Sequence, residues 1–154
     1  MKLELWMLWK NESYISEGLE VFTNRIRRYV PMEVRFFEES RKGKTPELIK
    51  AGESKLILNK LEQRDYLIIL DARGKEYSSE NFAALVSGFM NAGTKKVIFL
   101  IGGAYGFDEP IYTRANAMLS LSKMTFSHQV ARLLFAEQLY RAFTIINREP
   151  YHHA

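Results

Sequence analysis

Two short runs of uninterrupted apolar residues constrain the fold of this chain more than any other feature. Residues 66–70 read Tyr-Leu-Ile-Ile-Leu, and residues 97–101 read Val-Ile-Phe-Leu-Ile. Continuous apolar runs of this length are typical of parallel strands that are covered on both faces of a sheet. We therefore expect both runs to form central strands of a largely parallel sheet.

Other segments alternate between strand and helix patterns. Residues 2–8 and 32–37 place apolar residues on alternating positions, which predicts strands nearer the edge of the sheet. Helical spacing covers residues 13–29, a second segment that starts at Thr45-Pro46, and a third that starts at Ser78 or Ser79 and ends near Asn91. This order predicts an α/β fold with a mostly parallel sheet and helices on both faces.

A final helix is predicted from about residue 127 to 146. Apolar residues surround it, which predicts cover from its own sheet and favours a second subunit. His128 and Arg132 share one face of this helix, and Glu137 and Arg141 share another. Arg132 and Arg141 lie about half a revolution apart, so that one cation could serve the cleft of its own subunit and the other a neighbour.

Composition narrows the class of protein. With 154 residues and 47% apolar content, the chain fits a single domain over residues 1–154. Its net charge of +4 permits an RNA partner without requiring one. The chain has no cysteine and three histidines, so we expect neither disulfides nor a metal site. The apolar start of the chain is too short for a membrane span, and we expect a cytoplasmic protein.

A glycine turn follows the second apolar run. Gly102-Gly103-x-x-Gly106 leaves main chain without a Cβ at the end of a strand, where a ligand can approach closely. The turn matches neither the dinucleotide fingerprint nor the phosphate loop, and it contains no lysine. A tight connection without a ligand is the alternative.

The segment 121–126 alternates apolar and small polar residues before the final helix. Its main-chain groups can recognise the edge of a purine, with Leu121, Met124 and Phe126 forming an apolar slot. The alternative is an ordinary loop with Ser127 as helix N-cap. Two basic clusters, at residues 25–28 and 41–44, are candidates for RNA phosphate contacts or simply solvated surface.

Four motifs, taken together, resemble the RlmH family of 23S ribosomal RNA pseudouridine N3-methyltransferases, which have the SPOUT fold. The motifs are Leu70-Asp71-x-x-Gly74-Lys75, Leu100-Ile101-Gly102-Gly103-x-x-Gly106, Leu119-Ser120-Leu121-Ser122-x-Met124-Thr125-x-x-His128, and Glu137-x-Leu139-Tyr140-Arg141-Ala142 with Pro150-Tyr151-His152. The resemblance covers essentially the whole chain. Leu8-Trp9-Lys10 departs from the Val-Gly-Lys usual in that family, and Ala104-Tyr105 from the commoner Pro-x.

The resemblance implies a SPOUT-like fold with a C-terminal trefoil knot, a homodimer, S-adenosylmethionine as methyl donor, and 23S rRNA within the ribosome as substrate. The implied donor contacts are Leu70, Gly102, Leu121, Ser122, Lys123, Met124, Thr125 and Phe126. The implied substrate-positioning residues, some acting across the dimer, are His128, Arg132, Arg141, Tyr151 and His152. No general base is assigned. A noncatalytic ribosome-associated RNA-binding factor is the alternative function.

Overall fold

The structure, a computed structural model, describes residues 1–153 and alternates strands with helices along the chain. The strands are β1 (Lys2–Leu8), β2 (Met32–Phe37), β3 (Tyr66–Glu76), β4 (Lys96–Ile101) and β5 (Ala117–Ser120). The helices are α1 (Ser13–Ile26), α2 (Pro46–Leu58), α3 (Ser79–Asn91), α4 (Glu109–Arg114) and α5 (His128–Ile146).

The strands form one five-stranded sheet in the order β2-β1-β4-β3-β5, and every neighbouring pair is parallel. Helices α1, α3 and α5 contribute to the apolar core on one face, and α2 and α4 contribute to the core on the other. The predicted α/β class, with helices on both faces, is confirmed. The trefoil knot is a further topological property, and it stays a prediction.

The expected position of β1 near the edge of the sheet is wrong. β1 lies between β2 and β4, and every residue from Leu3 to Leu8 is buried. The alternating pattern misled because the polar residue Glu4 is itself buried, at 3% exposure. Its carboxylate accepts hydrogen bonds from the Trp6 indole at 2.6 Å and pairs with the Lys2 ammonium at 2.8 Å. A buried charge with such partners does not mark a solvent-facing position.

Hydroxyl caps fix the starts of α2, α3 and α5. Thr45 accepts a hydrogen bond from the Leu48 amide, Ser78 from the Asn81 amide and Ser127 from the Val130 amide, as their sequence contexts predict. Helix α1 ends earlier than expected, at Ile26. The short elements α4 and β5, of six and four residues, were not predicted because neither is long enough to show a hydrophobic period.

Strand β3 continues six residues beyond its apolar run, to Glu76, and contacts β5 twice. Leu70 pairs with Leu119, and after a shift in register Lys75 pairs with the same residue. Gly74 lies in this irregular stretch, and a Cβ there would come within 2.6 Å of the Leu119 backbone. The two chain segments can cross this closely only because residue 74 has no side chain.

Helix α5 packs against α1 and α3. Its inner face buries Phe135, Leu139 and Phe143, but Val130 and Leu134 stay 36% and 37% exposed. The expected cover from the chain's own core is confirmed for the inner face only. Within residues 1–153, no helix has the length and apolar character needed to cross a membrane.

Candidate functional site

A cavity of about 410 Å³ opens at the carboxyl ends of β4 and β5, beside the point where the apolar run of β3 ends. Three segments line it: residues 70–72 of β3, residues 101–107 around the glycine turn, and residues 119–128 from β5 to the start of α5. Ligands of parallel sheets bind at the carboxyl ends of the strands, and small-molecule sites typically measure about 300–1,000 Å³. The position and the size of this cavity both suit a nucleoside-sized ligand.

The glycine turn presents bare main chain to the cavity. A Cβ at Gly102 would lie 3.0 Å from the Phe107 ring, tighter than ordinary packing allows. Gly106 has φ +72°, a left-handed conformation that favours glycine, and its amide donates to the Gly103 carbonyl at 3.2 Å. Sterics and backbone conformation therefore explain these two glycines, which add no side chain to the cavity lining.

The loop after β5 is held by serine hydroxyls. The Ser120 hydroxyl donates to the Ser122 carbonyl at 3.1 Å, and the Ser122 hydroxyl accepts from the Met124 amide at 2.9 Å. Within residues 1–153, the amides of Thr125 and Phe126 donate to no protein acceptor. Free amides in a cavity wall can donate to the polar edge of a ligand.

An acidic residue lies at the rim, on the β3 side. The Asp71 carboxylate accepts hydrogen bonds from the Tyr112 hydroxyl at 2.6 Å and from the Arg73 amide at 2.9 Å. Burial acts to raise the pKa of Asp71, but these hydrogen bonds outweigh burial and hold the pKa below its usual value. Asp71 is therefore ionised at neutral pH and fixed in orientation.

The structure brings nearly all of the predicted donor residues together. Those that line the cavity are Leu70, Gly102, Leu121, Ser122, Met124, Thr125 and Phe126. Lys123 lies in the same loop but is exposed and is not part of the lining. Met124 is 74% exposed, so the slot proposed for an apolar ring is open to solvent on that side.

His128 lines the cavity at the first residue of α5. Burial lowers its pKa, and the positive charges of Arg132 and Arg41 lower it further. The imidazole is therefore neutral at pH 7 and able to accept a proton.

Arg132 does not line the cavity; it is fully buried behind it, with 0% exposure. Its Nη1 donates to the carbonyls of Trp9 and Lys10, both at 3.1 Å, and to the Asn11 side chain at 3.0 Å, while Nη2 donates to the Leu8 carbonyl. Burial lowers the pKa of Arg132 to about 10. This guanidinium holds the loop between β1 and α1, and its role in substrate positioning stays a prediction.

The remaining predicted residues form a separate cluster at the far end of α5. Glu137 accepts hydrogen bonds from Arg141 at 2.6 Å and from the Tyr151 hydroxyl at 3.0 Å. The Arg141 guanidinium lies 4.8 Å from the centre of the Tyr151 ring, and His152 contacts Arg141 at 3.3 Å and Glu80 at 2.8 Å. Among residues 1–153 of one protomer, none of these side chains lines the cavity.

Comparison with known proteins gives a consistent assignment. Residues 1–152 match the family described as "Predicted SPOUT methyltransferase". The chain is 46% identical to the Ribosomal RNA large subunit methyltransferase H of Cytophaga hutchinsonii, over 99% of this chain and 100% of that protein. It is 43% identical to the protein of the same name from Christiangramia forsetii, over 99% of each chain. The chain belongs to the SPOUT methyltransferase family. It is also 40% identical to the protein of the same name from Geobacter sulfurreducens, over 99% of this chain.

As a SPOUT methyltransferase, the chain uses a methyl donor, and the cavity is the candidate place for it. Sequence reasoning missed two groups beside this cavity. One is Asp71 with Tyr112, although Asp71 belongs to a motif that the sequence singled out. The other is Trp9 with Arg41 and Glu53, which are distant in sequence and share no period, so that only the fold brings them together.

Proposed function

We propose that this chain transfers a methyl group from S-adenosylmethionine to N3 of a pseudouridine in 23S rRNA of the large ribosomal subunit. The observation that carries the proposal is the cavity at the carboxyl ends of β4 and β5, which the glycine turn and the segment 119–128 line together with residues 70–72 of β3. The relatives named as ribosomal RNA large subunit methyltransferases, matched over their full length, support rRNA as the substrate.

The residues of the cavity fit this donor. The free amides of Thr125 and Phe126 suit the polar edge of an adenine, and the side chains of Leu121 and Phe126 suit its faces. Gly102 lines the cavity from the side of β4 and adds no side chain there. These contacts recognise shape and hydrogen-bonding edges and require no metal.

When bound, S-adenosylmethionine supplies a methyl group on a positively charged sulfur, open to in-line attack. The chain contributes alignment, since holding two reactants in line is worth about 7–11 kcal/mol of the barrier. The acceptor nitrogen carries a proton at neutral pH. We propose that the neutral imidazole of His128, which lines the cavity, takes up that proton, and that the positive charges near it favour the anion that forms.

We further propose a homodimer with the trefoil knot expected for this fold. The exposed apolar residues Val130 and Leu134 on α5 supply an uncovered face for a second subunit. The cluster of Arg141, Tyr151 and His152 is ordered but does not line the cavity of its own protomer. In the proposed dimer, the cluster of one protomer lies at the cavity of its partner, where it positions the substrate.

The test is methyl transfer from a tritiated donor to ribosomes from a strain that lacks this protein, followed by mapping of the modified nucleoside. Titration calorimetry with S-adenosylmethionine is run beside it. We expect label on a single pseudouridine of 23S rRNA and a measurable heat of donor binding. Absence of both, with ribosome binding retained, would refute the proposal in favour of a noncatalytic ribosome-associated factor.

A further inference from the structure

Trp9 has a backbone conformation that its side chain disfavours. Its φ is +71°, in the left-handed region, where a bulky residue is a genuine outlier. Its amide donates to the Phe37 carbonyl at 2.8 Å, and its carbonyl accepts from Arg132, so the surroundings hold the conformation in place. Strained residues cluster at functional sites, which directs attention to what the indole contacts.

The indole of Trp9 connects a buried acid to a surface cation. Its Nε1 donates to Glu53 Oε1 at 2.8 Å, and Glu53 is only 3% exposed. The guanidinium carbon of Arg41 lies 3.9 Å from the centre of an indole ring, and its Nη2 is 3.6 Å from Glu53 Oε1. A planar cation is thus stacked on one group and attracted by another, which restricts its motion.

Arg41 is held beside the cavity. Its Nη2 is 3.6 Å from the position that a Cβ on Gly103 would take, and Gly103 lines the cavity. The charge of Arg41 also contributes to the lowered pKa of His128, on another wall of the same cavity. The Arg41 side chain is 38% exposed, and within residues 1–153 it donates no hydrogen bond. Its N–H groups therefore stay available for an oxyanion from outside.

We propose that Trp9 and Glu53 position Arg41 to bind a backbone phosphate of the substrate RNA next to the nucleotide that enters the cavity. The proposal rests on the proposed function for its substrate. A phosphate is favoured over the carboxylate of the methyl donor because Arg41 is followed by Lys42, which is exposed and forms no ion pair within residues 1–153. Consecutive cations match a polyanion better than a single carboxylate.

The experiment compares Arg41→Gln and Trp9→Gly with Lys60→Gln as a charge-matched control. Lys60 is exposed, follows the C-cap of α2 and does not line the cavity. For each full-length protein, ribosome affinity is measured against salt, donor affinity by calorimetry, and methyl transfer as KM and kcat. Arg41→Lys tests whether charge alone suffices.

We expect Arg41→Gln to weaken ribosome binding and raise KM roughly tenfold, with donor affinity unchanged. The slope of log affinity against log salt should flatten by about 0.7–0.9, the loss of one phosphate contact. Trp9→Gly should reproduce much of this loss although it relieves the strained backbone, and adding Arg41→Gln to it should have little further effect. Arg41→Lys should recover part of the affinity.

An unchanged salt slope in Arg41→Gln would overturn the proposal, as would an equal loss in Lys60→Gln. A loss of donor affinity with ribosome affinity intact would also overturn it, because Arg41 would then bind the donor carboxylate. If the wild-type protein binds ribosomes with an Arg41-dependent slope but transfers no methyl group, the phosphate contact stands and the proposed function fails.

Discussion

The crossing of β3 and β5 at Gly74 predicts that one added methyl group is severely destabilising. In Gly74→Ala, the new Cβ would lie 2.6 Å from the backbone N and C atoms of Leu119 and 2.7 Å from the C atom of Met118. Such contacts are normally about 3.5–4.0 Å, so the two segments would have to separate by about 1 Å. All three atoms belong to backbone, which cannot rotate away as a side chain can.

The energetic cost follows from that separation. Overpacking alone costs about 1–3 kcal/mol. The pairings of Lys75 with Leu119 and of Glu76 with Ser120 would be weakened as well, at about 0.5–1.5 kcal/mol for each hydrogen bond lost. We expect Gly74→Ala to lower the free energy of unfolding by about 3–5 kcal/mol. Because Leu119 and Ser120 line the cavity, donor affinity should fall too.

Gly88→Ala is the matched control. Gly88 is exposed in α3, and a Cβ there would meet no atom within 4 Å. The same chemical change should stabilise the protein by about 0.5–1 kcal/mol, since alanine is the better helix former. The assay is urea unfolding at one fixed protein concentration, because the stability of the proposed dimer would depend on concentration. A Gly74→Ala protein within about 1 kcal/mol of the wild type would refute the reasoning from close contact.

Three further predictions concern charged and titratable side chains. Arg132→Met should lower the free energy of unfolding by about 2–4 kcal/mol, as measured by urea unfolding. The carbonyls of the loop between β1 and α1 lose their buried donors, and this loss outweighs the gain from no longer burying a charge. A more stable variant would contradict this. Because the pKa of His128 is lowered in the folded protein, the imidazole of the unfolded chain takes up a proton first as the pH falls. The contribution of His128 to the free energy of unfolding is therefore complete above about pH 6.5. Below that pH it is lost, at no more than about 1.4 kcal/mol per pH unit. His128→Asn should remove that part of the pH dependence in unfolding curves taken from pH 7.5 to 5.5, and an unaltered dependence would count against it. Arg141→Ala should abolish methylation of ribosomes while sedimentation still shows a folded dimer; full activity would exclude its role in substrate positioning.

Much of the fold could be predicted from the sequence because its signals are local. Apolar runs marked β3 and β4, and hydroxyl caps such as Thr45 and Ser78 marked where helices begin. The position of β1 could not be predicted from its pattern, since the burial of Glu4 depends on partners supplied by the folded sheet. Short elements such as β5 depend on tertiary pairing for their existence.

The candidate site could likewise be predicted from the sequence only where its signals are local. The glycine turn and the segment 121–126 could be identified because their residues are close together in the sequence and their main chain is the relevant feature. The role of Arg132 could not be inferred, because a cation on an apolar helix is equally compatible with a substrate contact and with a structural one. Three of its four acceptors are carbonyls of residues 8–10, and any residue type would supply those.

The hydrogen bonds of Arg132 also carry a consequence for synthesis. They join residues separated by as many as 124 positions, so the first loop is closed by a side chain from the last helix. A growing polypeptide that has left the translating ribosome only as far as β4 does not yet contain Arg132. In such a chain the loop between β1 and α1 cannot reach its final, hydrogen-bonded structure. Contacts between distant positions slow folding. We therefore expect the amino-terminal loop to become protected from hydrogen exchange only after translation has delivered α5.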